Sequence, residues 1–224
     1  MTERPLLLSS LAELGLDGQA GLALQLSAYL EYIEQWNPAW GLVGAEGDEL
    51  VTKHIIDSLA ALPAIDQALA DWRAARPAGE ERAPELADLG TGAGLPGIPL
   101  ALARPQLAVC LVDRMTRRVK FLELMRQQLP LDNVRIIEQQ VEHCKGEFDF
   151  ITFRAFRPFE RKLFKKVFGL CRPGGRIFAY KGRLDKATAE LEAIAGLYAD
   201  VEIRPLKVPF LDDERCLVIL TAKA

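Results

Sequence analysis

Glu85-Leu-Ala-Asp-Leu-Gly-Thr-Gly-Ala-Gly-Leu-Pro-Gly-Ile-Pro-Leu100 is the stretch on which the fold turns. Its first residues, Glu85 to Leu89, apolar apart from two acids, read as a short strand. Glycines at alternate positions then read as a tight turn, and the apolar run behind them as a helix. Glycine tolerates positive φ and lets a ligand approach the backbone, while the following helix offers unpaired N–H groups. At the first crossover of a doubly wound sheet, strand, glycine turn and helix together make a nucleotide site. A glycine-rich turn without a ligand is the plainer reading of the same letters.

Neighbouring residues choose among nucleotides. Asp88 stands two residues before the first glycine, where a dinucleotide fingerprint carries an apolar residue. A carboxylate there opposes a pyrophosphate and suits a cationic ligand such as S-adenosylmethionine, which bears an ammonium and a sulfonium. Asp113 follows a second strand candidate, Leu107–Val112, where an acid accepts hydrogen bonds from both ribose hydroxyls; a helix N-cap is its other role, and the two are compatible. No Gly-Lys-Ser/Thr follows the loop, which excludes a phosphate-loop NTPase.

Downstream, short apolar runs alternate with amphipathic segments. Strands are expected at Glu85–Leu89, Leu107–Val112, Val134–Glu138, Phe148–Phe153, Arg176–Tyr180, Val201–Pro205 and Arg215–Thr221. The rhythm predicts an α/β, Rossmann-like fold with a mostly parallel sheet. The last two strands, separated by a short loop, predict a C-terminal antiparallel hairpin. That hairpin and the turn Pro173-Gly-Gly175 resemble Class I S-adenosylmethionine-dependent methyltransferases and differ from dehydrogenase halves.

Upstream the pattern is helical. Asp17 is a candidate cap for a helix reaching about Trp36, with Leu22, Leu26, Leu30 and Ile33 on one face, broken at Asn37-Pro38. A second helix is expected from Asp48, carrying Val51, Ile55, Leu59 and Leu62, with Pro63 ending it or beginning another turn. Segment 73–84 is polar and aperiodic and reads as a linker. The expected organisation is an N-terminal helical region, 1–82, and a methyltransferase domain, 83–224.

The net charge of −3 is unremarkable, but its distribution is not. Residues 1–90 hold 15 acids and 5 bases, whereas residues 152–186 hold 11 bases and 2 acids, so one surface suits a polyanion. The four cysteines lack metal-type spacing and read as reduced, structural thiols. The two histidines suggest no metal site, and no apolar stretch is long enough for a membrane span, so a soluble cytoplasmic protein is expected.

A narrower resemblance rests on particular segments. They are Trp36-Asn37, His54-Ile-Ile-Asp-Ser58, the run from Asp88 through Leu95-Pro-Gly-Ile-Pro99, Arg118-Val-Lys-Phe-Leu122, Arg154-Ala-Phe156, Tyr180-Lys-Gly182 and Glu214-Arg215. In these the chain resembles the small-subunit (16S) ribosomal RNA guanine-N7 methyltransferases, the RsmG or glucose-inhibited division protein B family. The resemblance implies a Class I core with an N-terminal helical region, S-adenosylmethionine as cofactor, and small-subunit ribosomal RNA or the ribosomal particle as substrate. It implies cofactor contacts at Gly90, Leu95, Val141, Glu142 and Arg154, to which the loop reading adds Asp88, Gly92 and Asp113. The chain departs from the family at Gly41-Leu-Val43, where Asn-Leu-Thr is usual, so two polar side chains are absent near the expected substrate side. Cys216 also stands where relatives commonly have histidine.

Methyl transfer from a sulfonium is an in-line displacement that chiefly needs alignment. Guanine N7 has a free lone pair and no proton, so no general base is expected and none is named; Arg154 is the candidate for positioning. For RNA phosphates the strongest candidates are Arg154, Arg157, Lys181, Arg183 and Arg215, with Arg161, Lys162, Lys165, Lys166, Arg172 and Arg176 beside them. Lys162, Lys165 and Lys166 read equally well as a solvated helix face. Phe153, Phe156 and Phe159 interleave with these cations as candidate stacking platforms, whereas Phe164 and Phe168 read as core. His54 and Asp57 share a helix face and read as a structural hydrogen-bonded pair, and the resemblance implies a place for them at the edge of the site. The competing functions are methylation of another RNA base, a small molecule or a protein, and a nucleotide-binding module without catalysis.

Overall fold

The computed structural model describes residues 4–77, 79 and 82–223. From residue 85 the chain alternates strands and helices, and the seven strands form one sheet in the order β3-β2-β1-β4-β5-β7-β6. These are β1 (Glu85–Leu89), β2 (Ala108–Asp113), β3 (Val134–Glu138), β4 (Phe148–Arg154), β5 (Cys171–Lys181), β6 (Tyr198–Pro205) and β7 (Cys216–Ala222). Pairings from β3 across to β5 are parallel. Strand β7 runs antiparallel to both β5 and β6 and lies between them, so the last strand of the expected hairpin enters the sheet's interior.

The central strands β1, β2 and β4 read as largely apolar runs because both of their faces are covered, and their side chains alternate between two cores. On β2, Val109 and Leu111 join one core, and Cys110 and Val112 the other. The first core takes α6 (Gly97–Ala103), α7 (Thr116–Gln128) and the N-terminal helices; the second takes α8 (Arg161–Leu170) and α9 (Leu184–Ala193).

The N-terminal helices differ from expectation in their limits. α1 (Pro5–Glu13), which the sequence reading did not anticipate, has no side-chain cap, and only proline at its first turn marks its start. α2 runs Leu22–Trp40, entered through Gly21 rather than capped by Asp17. Pro38 does not break α2: it sits in the last turn, and the helix ends two residues later at Trp40, closed by Gly41, whose φ of 58° lets its N–H bond to Asn37 O at 2.8 Å. α3 (Gly47–Leu50) passes into π-helical turns over Val51–Ile56, then α4 (Asp57–Leu59). Pro63 lies in the first turn of α5 (Leu62–Ala74) and so begins a helix. α5 takes the first two residues of segment 73–84; residues 78, 80 and 81 lie outside the described residues.

Candidate active site

The glycine turn is built around two buried carboxylates. Asp88 Oδ2 accepts from Thr91 Oγ1 at 2.6 Å and from Gly97 N at 2.8 Å, tying β1 to the first residue of α6. Its other oxygen is buried and has no partner among the described residues. Asp113, at the end of β2, accepts from Gly92 N and from Met115 N, both at 2.9 Å, and lies 3.4 Å from Arg118. One carboxylate thus fixes both the loop and the entry to α7. Gly90 (φ 70°), Gly92 (φ 62°) and Gly94 (φ 97°) supply the left-handed backbone that the turn needs. A Cβ on Gly90 would lie 2.9 Å from the Phe156 ring, whereas a Cβ on Gly92 would project into open space. From α2, Tyr29 donates to Ala93 O at 2.6 Å, so the helical region buttresses the loop. Sequence reasoning missed Tyr29, although its spacing from Leu26 and Ile33 puts it on the buried face of α2.

Two cavities open at the carboxyl ends of the strands. The larger, about 650 Å³, lies between the glycine loop (Gly90, Gly92, Leu95), the strand ends (Arg154, Tyr180, Lys181, Arg215) and the helical region (Val43, Lys53, His54, Asp57). The smaller, about 300 Å³, is lined by Asp113, Gln139, Val141, Glu142 and Arg157. Gly90, Arg118, Ala155 and Phe156 line both. Ala155 holds a left-handed φ of 49°, costly for a residue with a Cβ, directly after the strand that delivers Arg154.

Arg154 locks the helical region onto the sheet. It donates to Lys53 O (2.7 Å) and Asp57 Oδ2 (3.0 Å), and its Nη2 donates to His54 Nδ1 (2.7 Å). Arg215 lies 3.4 Å from the other Asp57 oxygen. Because a guanidinium can only donate, the His54 proton sits on Nε2.

Most residues expected at the site line these cavities, and one expectation is corrected. Asp88 is fully buried, and its carboxylate holds the loop through Thr91 and Gly97. Phe153 and Phe159 are about 1–2 % exposed and pack with Phe164, so neither offers a face to a base; Phe153 only borders the larger cavity, whereas Phe156 lines both. The cations expected at the rim are each engaged by an acid: Arg157 with Glu142 (3.0 Å), Lys181 with Glu190 (2.5 Å) and Arg183 with Asp185 (2.6 Å). Lys181 also lies 4.0 Å over the Phe159 ring. Of the departures at 41–43, Gly41 fills the left-handed helix end, a position that also suits asparagine, and only Val43 puts an apolar wall where the family has a hydroxyl. Asn37 holds this loop through its side chain, accepting from the Leu42 and Val43 amides at 2.8 and 2.9 Å.

Asp88 and His54 titrate abnormally in opposite senses. Burial raises the Asp88 carboxyl from 3.8 to about 6. Burial, then Arg154, Arg215 and Lys53, lowers the His54 imidazole from 6.5 to about 4. Between pH 3.8 and 6 the folded state holds a proton on Asp88 that the unfolded state has lost, so this group's contribution falls as pH rises. Between pH 4 and 6.5 the unfolded state holds the His54 proton, so that contribution rises with pH. Each is worth up to about 3 kcal/mol. From pH 4 to 6.5, Asp88→Asn is therefore expected to gain stability relative to the parent protein, and His54→Asn to lose it, as read from urea unfolding at several pH values. Three parallel profiles would contradict both assignments.

A seven-stranded sheet with a reversed strand between β5 and β6, a glycine loop at its carboxyl edge and an acid ending β2 define a Class I S-adenosylmethionine-dependent methyltransferase. Solved structures share this fold. A 16S rRNA (adenine(1408)-N(1))-methyltransferase mutant from Catenulisporales acidiphilia superposes with a TM-score of 0.53 at 15 % identity, covering 70 % of this chain and 91 % of that one. A predicted O-methyltransferase from Agrobacterium tumefaciens gives 0.52 at 17 %, covering 76 % and 81 %. More narrowly, the model of the rRNA small subunit methyltransferase G family matches residues 23–218, and the chain belongs to that family. Its relatives include the ribosomal RNA small subunit methyltransferase G of Stenotrophomonas maltophilia, 38 % identical over 99 % of both chains. That of Cupriavidus pinatubonensis is 37 % identical over 99 % of this chain and 94 % of the relative. Among the described residues no helix is long and apolar enough to cross a membrane.

Proposed function

We propose that the chain transfers the methyl group of S-adenosylmethionine to N7 of a guanine in small-subunit ribosomal RNA. Near-full-length identity to relatives so named supports the RNA. One observation carries the choice of a ring nitrogen: each acid and imidazole lining the larger cavity is engaged by a cation. Glu49 pairs with Lys53 at 2.6 Å, Asp57 lies between Arg154 and Arg215, and His54 accepts from Arg154. Among the described residues the wall therefore offers no unengaged base for a hydroxyl or exocyclic amine, whereas guanine N7 attacks with a lone pair that carries no proton.

The cofactor, when bound, supplies an electrophilic methyl on a good leaving group. The residues fit such a ligand: Gly92 leaves space that a Cβ would fill, and the carboxylate of Asp113 borders the smaller cavity. In this reading Asp113 accepts hydrogen bonds from the ribose hydroxyls, and Val141 and Glu142 flank the adenine. Gly90, Gly92 and Leu95 admit the amino-acid end, while Asp88 holds their loop in shape. Arg154 fixes the end of β4 against the helical region, so that nucleophile and methyl are aligned. Arg154, Arg157, Lys181, Arg183 and Arg215 frame the entrance for RNA. The same reading places the enzyme in the cytoplasm with the small subunit or its RNA.

The test is an RNA in which 7-deazaguanine replaces the methylated guanine. The ordinary RNA is expected to accept methyl and the substituted RNA to accept none; equal labelling of both would contradict attack by N7.

A further inference from the structure

We infer that the solvent face of α8 is the principal phosphate-binding track for RNA, in place of the cations at the cavity rim; this rests on the proposed RNA substrate. Arg154, Arg157, Lys181, Arg183 and Arg215 each have an acid as partner, from Asp57 through Glu190. A guanidinium already paired must give up or share that partner to bind a phosphate, so its net gain is small. On α8 the position is reversed. Lys162, Lys165 and Lys166 are exposed, and none has an acid partner among the described residues. Arg161 donates to a carbonyl, Ala195 O at 2.8 Å, and keeps its full charge.

Helical spacing gathers these groups. Residues 162, 165 and 166 share one face, and the span from 161 to 166 is only about 7.5 Å of helix axis. The acid nearest in sequence, Glu160, stands at the helix entry before the stripe. This concentration of positive charge on a short rigid element is the footprint a polyanion selects. The occupant is a nucleic acid and not an anionic bilayer, because the apolar face of α8 is already used. Leu163, Phe164, Val167 and Leu170 are buried in the second core, leaving nothing to insert among acyl chains. The stripe also adjoins the site: Arg157, on the wall of the smaller cavity, lies four residues before Arg161. RNA held on α8 is thereby delivered to the cavity mouth.

The test is the salt dependence of RNA binding. Small-subunit RNA is titrated with the full chain, with Lys162→Gln/Lys165→Gln/Lys166→Gln, and with a charge-matched control, Arg204→Gln/Lys207→Gln/Lys223→Gln, at several salt concentrations. The α8 variant is expected to bind at least about tenfold more weakly, and the slope of log affinity against log salt to fall in magnitude by about 2 to 3. At saturating RNA its kcat and its affinity for S-adenosylmethionine are expected to stay within about twofold of the parent, whereas KM for RNA rises. The control is expected to keep the parent slope. An unchanged slope in the α8 variant, an equal loss in the control, or a parent chain that does not bind RNA would overturn the inference. A parent chain that binds RNA with the predicted slopes but transfers no methyl would refute the proposed function and leave this surface standing.

Discussion

Replacing Asp113 with alanine is expected to weaken S-adenosylmethionine binding by at least about 100-fold. In the proposed reading the carboxylate accepts two hydrogen bonds from the ribose, each about 1.5–3 kcal/mol for a charged acceptor. The loss is compounded within the protein. The same side chain accepts from Gly92 N and Met115 N, so its removal frees the glycine loop and the start of α7 together. Each amide left without an acceptor costs about 1–3 kcal/mol if it stays buried, so the variant is also expected to unfold at lower temperature. Calorimetric titration on folded protein, well below that temperature, separates the two effects. Asp113→Asn, which keeps one acceptor, is expected to fall between. Unchanged affinity in the alanine variant would contradict the assignment.

The second large effect is expected at Arg154. Arg154→Leu removes three donated hydrogen bonds at once and leaves Asp57 with Arg215 alone at 3.4 Å. Breaking a buried pair from one side typically costs about 3–5 kcal/mol, because the abandoned charge remains buried. In a protein of this size that lowers the unfolding temperature by roughly 6–20 °C. Arg154→Lys is expected to recover only part of this, since an ammonium does not reproduce the planar fork that spans the Lys53 carbonyl, the Asp57 carboxylate and the His54 ring. Loss of the clamp loosens the helical wall of the larger cavity, so methyl transfer is expected to fall more steeply than cofactor affinity. Differential scanning calorimetry and single-turnover transfer measure the two; a variant with unchanged melting and turnover would contradict the clamp.

The sheet was largely legible from sequence because its central strands are buried on both faces and its edge strand β3 is cut off by turn residues. Glu85–Leu89 and Val134–Glu138 are bounded by turn residues and coincide with the observed strands. The glycine loop was legible for a similar reason, since only glycine serves its left-handed positions. The helical region was read less well because its limits are set by packing. α1 has no cap in its sequence, and Pro38 is tolerated where the helix is about to end at Gly41. Within the site, sequence showed which cations exist but not which are engaged. Arg154 meets Asp57 across 97 residues of chain, a pairing that no local spacing reveals. The phenylalanines show the same limit: Phe153 and Phe156 are close in sequence, yet Phe153 is buried in the second core and Phe156 is only partly buried against it.

The most direct measurement of the central claim is incubation of the purified chain with methyl-labelled S-adenosylmethionine and small-subunit ribosomal RNA lacking the modification, free and as the assembled particle. The products are then digested and the labelled nucleoside identified by mass spectrometry. Label is expected in a single nucleoside, 7-methylguanosine, from one RNA position. Label confined to another base, to protein or to small molecules would contradict it.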